Sequence, residues 1–590
     1  MRERSLSRRA KAARALLAAL GLLLAGLLPP AGAQGLRPGE DRLEETRPPL
    51  PEFAPERPAP ALEPPAAPPP APEPSPAPPP RPGEELSSGL RVYVRAFELS
   101  GNTAFDDRTL GAVLQDYTGR TLSTEELIPA RDAVTRHYVA EGYVSSGAVL
   151  PDQTVEDGVI RLEIVEGRLG EVTVSGLDTL EPAFVEDRLR LAAGVPLDVD
   201  RLRERIQLLL GDPAIERVNA RLGPGRELGE SRLELDVVEA PPYRTDLRIS
   251  NDRSPAIGAE GGELAVTFGN LSGRSDPLRL QLEVSEGLRD FTADYSVPLT
   301  ARDLRLFVSG EVSSADVVTS PGSEIDVESR FAAFAAGLEM PVIRTPSQEL
   351  RIGVSLERQH SVTYLLGRRF SFSPGAEDGE TDVTALRLSQ QWQHRSSEQV
   401  VALRSTLSFG LPALGATEHG GDVPDGQFFA WLGQAQWARR LPFQDWQLSL
   451  RGDLQLTPDP LLPLERIAIG GRYTVRGYRK NQLVVDNGWV ASAELRIPLG
   501  QLAFPGIAAG PDDGALQLMP FVDAGGGWND DDADPDPDTL YGVGAALQWQ
   551  LNPRLGARLD FGLPLRNIDT PDDDDLQDLA LYFELTVALY

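Results

Sequence analysis

Beyond residue 242, apolar and polar positions alternate with a period of two. Leu278, Leu280, Leu282 and Val284 take turns with Arg279, Gln281, Glu283 and Ser285, and Leu448, Leu450, Leu454 and Leu456 with Gln447, Ser449, Arg451, Asp453 and Gln455. Successive side chains of a β-strand point to opposite faces, so each such segment carries one apolar and one polar face. A soluble sandwich alternates in the same way. Segments of about ten residues parted by Gly, Asp, Asn and Pro turns, with no helical periodicity over 242–590, favour an antiparallel transmembrane β-barrel. A strand-plus-loop repeat of roughly 20 residues gives about 16 strands. A barrel of that size encloses a water-filled lumen, which accounts for Arg, Gln, Glu and Asp on the second face. In the final segment, Leu579 to Tyr590, the residues Leu581, Phe583, Leu585, Val587 and Leu589 share a face and Tyr590 has the other parity. The pattern predicts either a bulge or a place in the interfacial girdle for Tyr590.

Residues 90–241 read differently. Strand signals over 90–99 run into the turn Ser100-Gly101-Asn102-Thr103, Leu110, Val113 and Leu114 have helical spacing, and Ser123 or Thr124 caps a helix with Leu127, Ala130, Val134 and Tyr138 on one face. Gly142 ends that helix, and strands are expected over 144–150 and 159–165, closing a small β-α-α-β-β module over 90–167. The order recurs over 168–241, with strands expected at 171–175, 218–222 and 232–238 and helices at 181–191 and 198–210.

Export precedes all of this. Arg2, Arg4, Arg8, Arg9, Lys11 and Arg14 lead into an apolar run from Ala15 to Leu28, followed by Ala31-Gly32-Ala33, the order of a secretory signal peptide over 1–33. The run is too short to cross a bilayer as a helix. Residues 34–89 form a linker in which proline dominates from Pro48 to Pro82, a semi-rigid spacer without a core. Only Leu36 to Thr46 within it has any helical capacity.

Charge and composition remove several function classes. The 590 residues hold 88 Asp and Glu against 57 Lys and Arg, a net charge of -31, which would repel phosphates and argues against a nucleic-acid partner. With no cysteine there is neither a disulfide nor a thiolate metal site, and four histidines do not suggest a metal centre. No Ser/His/Asp set, carboxylate pair or Walker-type glycine loop has supporting context, so neither an enzyme nor a cofactor is expected. Acidic runs at Asp530–Asp538 and Asp572–Asp575 read as solvated loops or as divalent-ion contacts with lipopolysaccharide head groups.

The stretches ELSGNTAF, YVAEGYVSSGAVLPDQ, DGVIRLEIVEGRLGEVTVSG and LGPGRELGESRLELDV resemble the two periplasmic POTRA domains of two-partner secretion transporters. Gly142-Tyr143 and Pro151-x-Gln153 are the more specific signals, and the family suggests client contact there; a helix stop at Gly142 and a core place for Tyr143 are the plain alternative. In the barrel region, Val475-Arg476-Gly477-Tyr478 and Phe521-x-Asp523-x-Gly525 are similar to signature motifs of the POTRA-plus-barrel superfamily. The resemblance implies a long loop folded back into the lumen, with Arg476 paired to Asp523. Two POTRA modules point to the haemolysin secretion/activation branch. Implied with it are an outer-membrane pore with periplasmic POTRA domains, a large secreted β-helical exoprotein of haemolysin or adhesin type as partner, and transport without nucleotide hydrolysis. An assembly factor that inserts other barrels is the alternative, and a passive porin has no use for two POTRA modules. Family members often begin with a helix that plugs the lumen; Leu36 to Thr46, holding Pro38 and Gly39, departs from that pattern.

Overall fold

The computed structural model describes residues 91–590 except 320–321, 325, 421–422, 504–509, 511–512, 531–532, 569–574 and 590. The expected signal peptide, the proline-rich linker with Leu36 to Thr46, Tyr590 and parts of both acidic runs lie outside the described residues. What is described divides into two units, 91–242 with the turn 269–276, and the rest of 243–589.

The first unit contains two α/β modules. In the first, strands β1 (Arg91–Val94) and β2 (Ala96–Ser100) precede helix α1 (Asp107–Val113), and β3 (Arg120–Ser123) leads into α2 (Thr124–Ala140), then β4 (Gly147–Val149) and β5 (Val159–Val165). β2, β5 and β4 form one sheet with β2 and β5 parallel, while β1 pairs with β3. The expected strand over 90–99 breaks at Arg95, whose amide donates to the Gly158 carbonyl at 2.7 Å. The strand expected over 144–150 shrinks to three residues, because a turn with a 2.9 Å bond from the Ser146 amide to the Tyr143 carbonyl takes up its first half. Helix α2 starts with a capping box in which Ser123 and Glu126 satisfy each other's backbone amides. Its apolar stripe of Ala130, Val134 and Tyr138 packs with Leu110, Leu162 and Ile164.

The second module repeats the order: β6 (Arg168–Ser175), α3 (Pro182–Arg190), α4 (Val199–Leu210), β7 (Ile215–Pro224) and β8 (Glu230–Glu239), with β8 central and parallel to β6. Asp198 caps α4 by accepting from the Asp200 and Arg201 amides. Phe184, Leu189, Leu202, Ile206, Leu233 and Leu235 are buried between the helices and the sheet.

Both modules share a device that pattern reading does not expose. Just beyond β5, Glu166 accepts from the Thr103 and Ala104 amides at 2.7 and 2.8 Å and from the Tyr138 hydroxyl at 2.9 Å. At the end of β8, Glu239 accepts from the Asp178, Thr179 and Leu180 amides at 2.8 to 2.9 Å. Each carboxylate ties the turn after the module's outer strand to the central strand. Burial pushes the Glu166 carboxyl up, but the bonds from Thr103, Ala104 and Tyr138 outweigh it and hold the pKa below the usual range. Such a group stabilises the fold above its unfolded pKa and loses that contribution as pH falls through the lower folded value. Glu166→Ala should therefore destabilise the first module by about 1–3 kcal/mol at neutral pH, the cost of stranding several donors. Limited proteolysis of the whole protein should show faster cleavage within 91–167, and the gap from the parent should narrow in acid.

The second unit is a closed antiparallel barrel. Sixteen long strands run from Tyr243–Ser250 to Leu581–Ala588, each paired with its neighbours in sequence order, and the last pairs with the first from Glu584↔Ser250 to Ala588↔Asp246. A two-residue piece, Arg368–Arg369, extends one hairpin. Closure satisfies the ladder hydrogen bonds that an open edge would leave in lipid. Burial is inverted relative to a soluble core. Leu282, Val284 and Leu450 face outward and are exposed, whereas Gln447, Asp453 and Gln455 are buried on the inner face. The final strand keeps an unshifted register with Leu555–Pro564, so no bulge occurs within it, and it turns Tyr582 and Glu584 inward. No helix among the described residues is long and apolar enough to cross a membrane.

Candidate functional site

Between the strands Gln447–Leu456 and Asn487–Gln501 lies a long loop that folds into the barrel. Its stem is a short hairpin, Ile467–Ile469 with Leu483–Val485, and its tip is Gly470–Asn481. Ile467, Ile469, Val475, Tyr478, Leu483 and Val485 pack together with Val490 and Leu540 of the wall, so the loop carries its own small apolar core.

At the tip the Arg476 guanidinium is 5% exposed and meets the inner wall. Nε donates to Oδ2 of Asp523 at 2.6 Å and Nη2 to Oδ1 at 2.9 Å, and the Arg476 backbone amide adds a third bond at 3.1 Å. This two-pronged geometry is what a planar guanidinium offers and an ammonium does not. Nη1 donates to Glu494 at 2.8 Å, Nη2 reaches the Ser492 hydroxyl at 3.3 Å, and Asp560 lies 3.6 Å away. The guanidinium carbon stands 3.4 Å above the centre of the Phe521 ring.

Each remaining member of the two motifs also has a contact. Val475 occupies the space that a side chain at Gly525 would take, since a Cβ there would come within 2.9 Å of the Val475 methyl. Gly477 has φ of +103°, a conformation that L side chains rarely adopt, and a Cβ on it would meet the Pro564 nitrogen at 2.9 Å. The Tyr478 hydroxyl donates to the Tyr541 carbonyl at 3.0 Å and accepts from the Arg566 amide at 3.2 Å. The Gly477 amide donates to the Tyr582 hydroxyl, which in turn donates to the Tyr478 carbonyl.

Several participants carry no signal in either motif. Arg472 is almost fully buried and donates to Glu584 at 2.8 Å and Asp560 at 3.3 Å. The Tyr473 hydroxyl donates to Asp252 at 2.6 Å and accepts from Arg248 at 2.9 Å, and the Arg451 guanidinium donates to the Tyr473 carbonyl. Arg558 bridges Glu494 and Asp560. The available signal was two charges of opposite sign at consecutive inward positions, as in Arg558-Leu559-Asp560.

The candidate client residues of the first module have internal partners. Gly142, at φ of +91°, terminates α2, and its carbonyl accepts from the Val199 amide at 3.2 Å. Tyr143 lies edge-on to Phe105 and Tyr138. The Gln153 side chain pairs with the backbone of Arg161 in both directions, at 2.7 and 2.9 Å, and also donates to the Pro151 carbonyl at 3.3 Å.

The family model described as haemolysin secretion/activation protein ShlB/FhaC/HecB matches residues 229–549, more than half of the chain, and the ShlB-type POTRA domain model matches 92–167. The outer membrane transporter CdiB of Escherichia coli is 25% identical over 515 residues, covering 84% of this chain and 82% of that protein. The heme/hemopexin transporter protein HuxB of Haemophilus influenzae is 23% identical over 255 residues, covering 42% of this chain and 45% of that protein. Among solved structures, CdiB from Escherichia coli superposes with a TM-score of 0.66 at 22% identity, covering 87% of this chain and 93% of that one, which speaks to the fold.

Proposed function

Because the chain belongs to the haemolysin secretion/activation family ShlB/FhaC/HecB, we propose that it takes an unfolded exoprotein in the periplasm and passes it to the cell surface through its barrel. The protein is an outer-membrane transporter of the two-partner secretion type, with periplasmic POTRA modules and a secreted protein as partner. The observation that carries this proposal is the loop held inside the lumen by Arg476 on Asp523, an obstacle that must shift before a polypeptide can pass.

The first module offers β2 as its docking edge. β2 pairs with β5 on one side, and an extended client strand can add to the other through backbone hydrogen bonds, whatever its side chains. Gly142, Tyr143, Pro151 and Gln153 then have a positioning role, holding β4 and β5 in the register that presents that edge. A large β-helical exoprotein suits such sequence-tolerant pairing, and its folding outside makes export irreversible without nucleotide. Lipopolysaccharide at the acidic outer loops is the lipid contact that goes with this reading.

Reconstitution tests it. Proteoliposomes containing only this protein should move its unfolded partner exoprotein to a protected compartment with no nucleotide added; a strict nucleotide requirement would overturn the reading. In cells, loss of the protein should stop export of that exoprotein and spare other barrel proteins. General depletion of barrels would instead identify an assembly factor.

A further inference from the structure

The lumen loop is attached at a second place, far from Arg476. In a short turn at Pro463–Glu465, the Glu465 carboxylate is buried and accepts from Arg387 Nη2 and Nη1 at 2.7 and 3.1 Å. Arg387 also donates to Glu357 at 2.6 Å and to the Ser408 hydroxyl at 2.7 Å, and Gln359 donates to Glu357 at 2.6 Å. These partners stand on Gln348–Leu365, Glu380–Arg395 and Gln399–Gly410, the seventh to ninth strands of sixteen. The residues that hold the tip stand mainly on the thirteenth, fifteenth and sixteenth. Attachments roughly half a circumference apart make the loop a strut across the lumen rather than a flap on one wall.

The two ends differ in what they leave behind. With Glu465 withdrawn, Arg387 still pairs with Glu357, and the wall remains balanced. With Arg472 and Arg476 withdrawn, the five carboxylates of Asp523, Glu494, Asp560, Glu584 and Asp252 would share the guanidinium groups of Arg558, Arg248 and Arg253. Uncompensated buried charge is costly, whereas the loss of one partner from a triad that stays paired is mild. Leu461, Leu462 and Leu464, just before Glu465, are packed against Phe331, Val383 and Phe428, so a hinge falls at Glu465 itself.

We propose that Glu465 is the far anchor of the loop, a positioning residue whose separation from Arg387 swings the stem hairpin off mid-lumen while the tip stays seated. The proposal takes the barrel as the transport pore, but its test reads the loop directly. The chain has no cysteine, so single cysteines report cleanly. Glu465→Arg, which sets a cation beside Arg387, should raise the mean conductance of the purified protein in planar bilayers severalfold, with Glu465→Gln giving a smaller rise. A cysteine introduced by Ala468→Cys should then react faster with a membrane-impermeant maleimide, while one from Thr474→Cys should not. The swap Glu465→Arg with Arg387→Glu again places one cation between two carboxylates, and should restore low conductance and slow labelling. Unchanged conductance in Glu465→Arg, equal acceleration at both cysteines, or failure of the swap to restore would each overturn the proposal. Raised conductance with normal secretion would leave it standing and count against the loop as a barrier to export.

Discussion

Arg476→Ala is expected to abolish, or reduce at least tenfold, secretion of the exoprotein, while the barrel still inserts and closes. Truncation leaves Asp523 buried and bound by a single hydroxyl, from Ser492 at 2.6 Å, together with the backbone amide that the loop supplies. Stranding one partner of a buried ion pair costs about 3–5 kcal/mol. The lumen contains water, so the structure has an escape: the tip lifts, Asp523 hydrates, and the loop no longer holds its position. The barrel is spared because its ladders do not include the loop. Secretion assays read the first effect. Retention of the folded, heat-modifiable band on gels reads the second, and normal export by a well-inserted variant would remove Arg476 from the mechanism. Arg476→Lys should recover little, because an ammonium cannot make both bonds to Asp523 or lie flat on Phe521.

The second large effect removes no charge at all. The tip rests on the inner faces of two neighbouring strands, Thr539–Asn552 and Leu555–Pro564, at Gly542 and Gly562. A Cβ at Gly542 would lie 2.0 Å from the Arg476 carbonyl oxygen, and one at Gly562 would lie 2.6 Å from the Gly477 nitrogen. The obstacles are backbone atoms, so a rotamer change cannot relieve the clash and the whole tip must move. Gly542→Ala and Gly562→Ala should each cost the seated loop about 1–3 kcal/mol, the usual range for overpacking. The double variant should reproduce the export defect of Arg476→Ala with every ionic partner present. Gly310, on a distant strand with open space where its side chain would go, is the control, and Gly310→Ala should export normally. If the Gly542/Gly562 double variant secretes like the parent, close seating of the tip is not required.

Much of this protein was legible along the chain. The two-residue period reported strands with one apolar face, and a region of that length divided by a strand and a loop gave the sixteen that close here. That inference is robust because lipid permits only helices or closed barrels, and no helical period was present. Helix signals in the modules were local for the same kind of reason: Ser123 with Glu126, and Asp198, cap within one turn of themselves. Over 90–99 a long-range contact intervened. Arg95 breaks a strand because it bonds to Gly158, far along the chain.

The site divides along the same line. Arg476 and Asp523 stood out because each lies in a compact motif. Glu494, Asp560, Arg558, Gly542 and Gly562 did not, being ordinary inward positions of ordinary strands until closure brought those three strands and the strand of Asp523 around one guanidinium. Glu465 is the clearest instance. In sequence it is one residue of a Pro-Leu-Glu-Arg turn, and its partners Gln359 and Arg387 lie some distance upstream on the opposite wall. Sequence by itself determined the modules, the barrel and the presence of one cation-bearing tip, since each depends on neighbouring residues or on a period. Which wall that tip meets, which carboxylates surround it, and where the far end of the loop is held were decided only by the tertiary structure. A barrel's inner face is assembled from alternate residues of strands that are neighbours in space, and no stretch of chain contains it.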